Sequence, residues 1–358
     1  MEGKYSESPE WTDVTPIPLN DGTDGGQNAT PLAVITYQPV YLEATSYLRA
    51  VMAANELSER ALALTEDVIS MNPAHYTVWL YRSKILFALE KDLKEEIAWL
   101  NKVSLKYLKN YQIWHHRQLL LSSRTAFPSL PAGELDFLMK MFTEDSKNYH
   151  VWTYRQWLVR RFDLWDTPRE INDVDALLLS DVRNNSAWNH RYMLRFAPRQ
   201  GFEAGMWSSS SSTTNAQEKG KLSVVDEDLI DAELDYTQAK ILLAPENRSA
   251  WLYARGVLRA ADRPLSEWKG FASRFITEEI GSDNTIYHVK SSLAVEWLAD
   301  VFAQEARQEE KEDSEKKRQE KVDEAVRLLT LLKVKYDPVR VNYWDYRIRE
   351  IRQPVSAV

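Results

Sequence analysis

The sequence predicts an all-α fold, an α-α superhelix in which helical hairpins stack into a right-handed crescent. Three observations predict it. A phrase recurs in which tyrosine or asparagine is followed three residues on by tryptophan and three further by arginine: Tyr76-Trp79-Arg82, Tyr111-Trp114-Arg117, Tyr149-Trp152-Arg155 and Asn185-Trp188-Arg191. These tryptophans stand 35, 38 and 36 residues apart, a period expected of stacked helical pairs. Apolar residues between them step by three and four, and the alternation of a strand is almost absent. Weaker copies follow at Trp251, with Ala254 in place of the arginine, and at Trp344 with Arg347.

Residues three apart share a helix face, so each tryptophan lies beside its arginine. The indole can fill the seam between stacked helices. The arginine can lay its stem on that apolar surface and hold a carboxylate or a backbone carbonyl.

In chain order, residues 1–40 are rich in proline, glycine and small polar residues, and they predict an extended or disordered arm. Its apolar points, Trp11, Val14 and Ile17, could dock on a partner. From residue 41 to 358 the helical period governs. Leu57, Ala61, Leu64 and Val68 form the first apolar face, and Asn72-Pro73 ends that helix and opens the next. Each unit is therefore helix A, a tight turn, and helix B carrying the tryptophan. Ile97, Leu100, Val103 and Tyr107 give the next helix A. Leu135, Leu138, Met139 and Phe142 follow, then Val174, Leu177, Leu178 and Val182. Further helices A run through Val225–Leu243 and Val322–Tyr336, and an extra helical hairpin is expected from Leu265 to Phe302, with Tyr287 and Trp297 on its helices. Two insertions interrupt the array. One, at about 205–221, is serine-rich; the other, at about 304–321, is almost wholly charged and reads as a solvated helical extension or a disordered loop.

Composition limits the function. A net charge of -8 weighs against a general nucleic-acid binder, which needs a basic face for phosphates. The absence of cysteine excludes disulfides, thiolate catalysis and cysteine-held zinc within this chain, and suits a reducing compartment. The first residues lack the apolar run of a signal peptide, and no stretch approaches eighteen apolar residues. A cytoplasmic protein without stable membrane insertion is expected.

Aligning the units on their tryptophans exposes a second pattern. Five residues before them stand Ala74, Lys109, Lys147, Arg183, Glu246 and Val339. A cation entering a helix has the wrong sign for the helix dipole. Beside exposed backbone N–H groups it is what an anion site needs. Lys109 and Lys147, with Tyr111, Tyr149 and His150 close by, are therefore candidates for holding a phosphate-bearing ligand; the alternative is ordinary surface lysines. Arg183 shares the slot. The six histidines offer no metal pair, and no glycine-rich phosphate loop or nucleophile motif appears.

The strings Lys109-Asn110-Tyr111-Gln112-Ile113-Trp114-His115-His116-Arg117, Lys147-Asn148-Tyr149-His150-Val151-Trp152 and Asp181-Val182-Arg183-Asn184-Asn185-Ser186-Ala187-Trp188-Asn189 resemble the repeats of the protein prenyltransferase α-subunit family, of the type shared by farnesyltransferase and geranylgeranyltransferase type I. The segment from Trp11 to Gly22 and the string Tyr47-Leu48-Arg49-Ala50-Val51 resemble the same family. The resemblance runs from about residue 11 to about 255 and returns at Trp344. It implies a crescent wrapped around a catalytic β subunit. That subunit holds a zinc ion, which activates the cysteine of a protein ending in a Cys-a-a-X box, such as a small GTPase, for attack on C1 of farnesyl or geranylgeranyl diphosphate. Magnesium serves the holoenzyme. By resemblance Lys109 stabilises the leaving diphosphate, Gln112 hydrogen-bonds the peptide carboxylate, and Asn148, Tyr149, His150 and Tyr111 border the diphosphate end. Lys147 and Arg183 are secondary candidates. Two other readings stand beside this one: a non-catalytic tetratricopeptide-like scaffold, and the α subunit of the Rab geranylgeranyltransferase.

Overall fold

A computed structural model describes residues 3–18, 35–197, 226–280, 285–308 and 315–353. The chain divides into two compact units, Met1–Leu164 and Trp165–Val358.

The first unit begins with α1 (Pro39–Ala53) and continues through three hairpins: α2 (Glu59–Met71) with α3 (Tyr76–Ala88), α4 (Leu93–Lys106) with α5 (Tyr111–Leu121), and α6 (Glu134–Glu144) with α7 (Tyr149–Phe162). Each helix A packs on its helix B, and the helices B pack on one another in series, α3 on α5 and α5 on α7. Capping residues set the boundaries. Ser58 accepts from the Ala61 N–H and Asp92 from the Lys94 N–H, satisfying donors that the first turn of a helix leaves open.

The second unit holds α8 (Pro168–Ser180), α9 (Asn185–Phe196), α10 (Glu227–Leu243), α11 (Arg248–Ala260), α12 (Lys269–Ser273), α13 (Ser292–Gln308), α14 (Glu315–Leu331) and α15 (Val341–Arg352). The pairs α8/α9, α10/α11, α13/α14 and α14/α15 repeat the hairpin plan.

The recurring phrase fixes the packing inside both units. Trp79, Trp188 and Trp344 are buried. The indole Nε1 of Trp79 donates to the Pro73 carbonyl at 2.8 Å, and that of Trp188 to the Val182 carbonyl at 2.9 Å, six residues upstream in each case. Trp114 departs from this: its buried Nε1 has no acceptor among the described residues, and nothing in the structure explains it. The arginines grip carboxylates on the next hairpin. Arg82 holds Glu96 through Nε and Nη2 at 2.7 Å each, Arg117 holds Glu134 at 2.7 and 2.6 Å, and Arg191 holds Glu233 at 2.7 and 2.9 Å. The residue two after Trp114, Trp152 and Trp251 meets the same carboxylates. The Tyr154 hydroxyl donates to Glu134 and the Tyr253 hydroxyl to Glu233, while His116 Nε2 meets Glu96 at 3.0 Å. A buried carboxylate with two or three donors is satisfied, which makes these pairs tolerable in the core.

Two expectations are corrected. Residues 3–18, read as part of an extended or disordered arm, lie against the chain's own α1 and α2. Tyr5 and Trp11 are buried, Trp11 meets Tyr47 edge-on at 5.5 Å, and the Arg60 guanidinium lies 5.1 Å from the Trp11 ring. Glu43 accepts the backbone N–H groups of Gly3, Tyr5 and Ser6, so a side chain distant in sequence supplies the partner that the arm's own composition lacks. Second, Tyr287 lies on a strand. Ile276–Ile280 (β1) and Thr285–Val289 (β2) form an antiparallel hairpin, with Glu278 opposite Tyr287. The β-branched residues Ile276, Thr277, Thr285, Ile286 and Val289 favour that state over helix. Trp297 does lie on a helix, buried in α13. The charged stretch, expected as a solvated helical extension or a disordered loop, is helical where it is described: α13 reaches Gln308, α14 starts at Glu315, and Glu305 is paired with Lys269 and Lys321. The serine-rich insertion lies outside the described residues.

Candidate functional site

The candidate site grows from the way the helices B begin. Asn110 and Asn148 cap α5 and α7. Asn110 Oδ1 accepts from the N–H groups of Gln112 and Ile113 at 2.8 and 3.2 Å, and Asn148 Oδ1 accepts from His150 and Val151 at 3.0 and 3.4 Å. Asparagine also has an N–H2 to give. Asn110 Nδ2 donates to the Pro73 carbonyl at 2.8 Å, and Asn148 Nδ2 donates to the Leu108 carbonyl at 2.7 Å. One side chain thus starts its own helix and ties down the turn of the preceding hairpin.

This corrects one candidate. Asn148 is 3% exposed and its amide is committed to the cap and to Leu108, so it borders no open site. Its contribution is indirect: it fixes the peptide carbonyl immediately before Lys109.

Lys109 itself reaches outward. Its side chain is 77% exposed, and Nζ lies 3.4 Å from Asp145 Oδ2, at the end of α6. Tyr111 and Tyr149 occupy the first position of α5 and α7 and are 50% and 71% exposed. His150 stands between them, edge-on to both, with ring centroids 5.8 Å from Tyr111 and 5.6 Å from Tyr149. Burial pushes the His150 imidazole below its ordinary pKa, so it is neutral at pH 7 and can donate one hydrogen bond without carrying charge. Gln112 is half-buried beside Tyr111, and its side-chain amide makes no hydrogen bond among the described residues. The structure therefore brings Lys109, Tyr111, Gln112, Tyr149 and His150 together across two helix N-termini. Lys147 is exposed in the same turn, its backbone N–H donating to Asp145 Oδ1 at 3.1 Å. Arg183 repeats that turn in the second unit, where its N–H donates to Asp181 Oδ1 at 2.9 Å.

Two neighbours were not singled out from sequence. Tyr76 fills the equivalent first position of α3 and is 63% exposed, and its place three residues before Trp79 was the available signal. Asp145 had only a weak signal, as one of four Asn or Asp residues two before that slot, with Asn72, Asp181 and Asp337.

A cavity of about 670 Å³ lies elsewhere, between α11 and α13, and contains none of these residues. Its Arg255 is paired with Asp300 and its Arg263 with Asp231 and Glu267, so much of its positive charge is already neutralised. Among the described residues no three His, Asp or Glu side chains converge as metal ligands.

Comparison with known proteins gives this arrangement a context. The α subunit of protein farnesyltransferase/geranylgeranyltransferase type-1 from Candida albicans is 34% identical over 346 residues, spanning 96% of this chain and 97% of its own. The chain belongs to the protein prenyltransferase α-subunit family. The model of that family's repeat matches residues 58–89, 93–124, 131–162, 167–196 and 230–261, each stretch covering one of the hairpins from α2/α3 to α10/α11. A solved chain of Candida albicans protein geranylgeranyltransferase-I complexed with GGPP superposes with a TM-score of 0.76 at 34% identity, over 95% of this chain and 98% of that one. The α subunit of geranylgeranyl transferase type-2 from Bos taurus matches more narrowly, at 30% identity over 62% of this chain and 38% of its own length. As an α subunit of the farnesyltransferase/geranylgeranyltransferase type-1 kind, the chain is neither a generic repeat scaffold nor best described by the type-2 enzyme.

Proposed function

We propose that this chain works in the cytoplasm as one half of a heterodimeric protein prenyltransferase. With a β subunit it transfers farnesyl, and with a different β subunit geranylgeranyl, from the isoprenoid diphosphate to the cysteine of a Cys-a-a-X box on proteins such as small GTPases. The sulfur forms a bond to C1 as the bond from C1 to the diphosphate oxygen breaks, and that electron pair leaves with the diphosphate. The Lys109 ammonium stabilises the charge gathering on the leaving group, a task for a cation fixed in advance of the reaction. Tyr111, Tyr149 and neutral His150 flank the diphosphate, and the unpaired amide of Gln112 receives the peptide carboxylate. Lys147 and Arg183 remain secondary.

The observation that carries this reading is an outward-reaching ammonium, Lys109, in a cluster of exposed aromatic and amide groups. Zinc and magnesium are assigned to the holoenzyme, with zinc on the β subunit, and the side chains of this cluster act on the diphosphate and the peptide directly. Co-expression with candidate β subunits tests the proposal. The chain alone is expected to transfer no isoprenoid, and the purified pair to prenylate a Cys-a-a-X peptide. Transfer by the isolated chain, or none by any pair, refutes it.

A further inference from the structure

Asp145 is built into the turn more firmly than Lys109 is. It follows the last residue of α6, its Oδ1 accepts the Lys147 N–H, and its carbonyl accepts the Asn148 N–H at 3.1 Å. Asn72 serves the equivalent turn with its own Oδ1, accepting the Ala74 N–H at 3.2 Å. A neutral amide is therefore enough for the turn, and the charge at Asp145 is surplus to it. That charge is also placed against the local field, since a carboxylate at a helix C-terminus opposes the dipole. Among the described residues its second oxygen, Oδ2, has one partner: Lys109 Nζ at 3.4 Å, on the preceding hairpin.

We propose that Asp145 is a positioning residue for Lys109, a rigid counter-charge that holds the ammonium over the site and competes with the ground-state diphosphate for it. The inference rests on the proposed function. A long, exposed ion pair is weak, so a multiply charged diphosphate displaces Asp145 easily. While it competes, Asp145 keeps Lys109 from gripping substrate and product too tightly, leaving more of the contact to develop as the leaving group charges. It also hastens diphosphate release, because the ammonium has a place to return to.

Asp145→Asn keeps the turn, as Asn72 shows, and removes only the charge. In the holoenzyme this variant is expected to lower KM for the isoprenoid diphosphate and Ki for inorganic diphosphate by two- to fivefold, the reach of an exposed pair, and to lower kcat with them. Both shifts should vanish when Lys109→Ala is already present. Acylation of Lys109 in the isolated chain, followed by mass spectrometry, should be at least twofold faster in Asp145→Asn and unchanged in Asp181→Asn. Unaltered labelling overturns the contact. Altered labelling with unaltered constants, or constants that still shift without Lys109, overturns the positioning role. An inactive wild-type holoenzyme would defeat the functional reading itself, and this proposal with it, whatever the labelling shows.

Discussion

Lys109 and Arg117 sit eight residues apart, and the fold treats their charges in opposite ways. Arg117 is wholly buried and held by Glu134 and Asn101, whereas Lys109 has one loose partner among the described residues and is open to solvent. Both are cations that recur with the repeat. What separates them is position relative to the tryptophan. Three residues after it, the side chain turns into the seam between hairpins; five before it, the chain has not yet entered the helix. A cation with no structural duty can be removed without disturbing the core. Lys109→Ala should leave thermal stability within about 0.5 kcal/mol of wild type. In the holoenzyme it should lower kcat by about 100-fold, with a much smaller change in peptide KM, because the contact strengthens as diphosphate leaves. Steady-state kinetics on the purified pair decides it, and a loss confined to peptide binding would count against the assigned role.

At the scale of the helix, each hairpin reads its neighbour through one buried carboxylate. Glu96 takes Arg82 from the hairpin before it and His116 from its own, and burial holds the His116 imidazole below its ordinary pKa. The sign of the pH effect follows. An imidazole that resists protonation when folded, but takes a proton near pH 6.5 when unfolded, gives stability that is present above that pH and lost as pH falls through the lower folded value. His75 and His150 are depressed by burial in the same direction, so His116 supplies only part of the slope. Tyrosine occupies the equivalent position at Tyr154 and donates to the equivalent carboxylate, so His116→Tyr should preserve the hydrogen bond and abolish the titration. The variant should lose less stability than wild type between pH 7 and pH 5.5 in thermal melts; an equal loss would mean His116 is not part of the slope. These knots also show what sequence reveals about elements. The helices and their order were legible because the three-and-four spacing is local. The β1/β2 hairpin was obscured by an expectation of period, although its β-branched residues were in view. The docking of residues 3–18 depends on Glu43 and Arg60, whose relation to the arm no local pattern records.

For the whole chain, the legible part of the site is the part that projects. Lys109, Tyr111, Tyr149 and His150 stand out because charged and aromatic residues recur at a slot where packing does not require them. Asn148 shares their string but belongs to the architecture, and only its two-sided hydrogen bonding reveals that. The same distinction bears on where metal acts. The 358 residues include no cysteine, and no trio of His, Asp or Glu converges among the described ones. A protein that binds a metal only in its folded state is stabilised by it in proportion to affinity, so chelation should lower its melting temperature. Treatment with EDTA should therefore leave the melting temperature of the isolated chain unchanged while abolishing prenyl transfer by the αβ pair, and added zinc should restore transfer. If chelation instead lowered the melting temperature of the isolated chain, a metal would have to be held within it, and the division of labour between the two subunits would have to be redrawn.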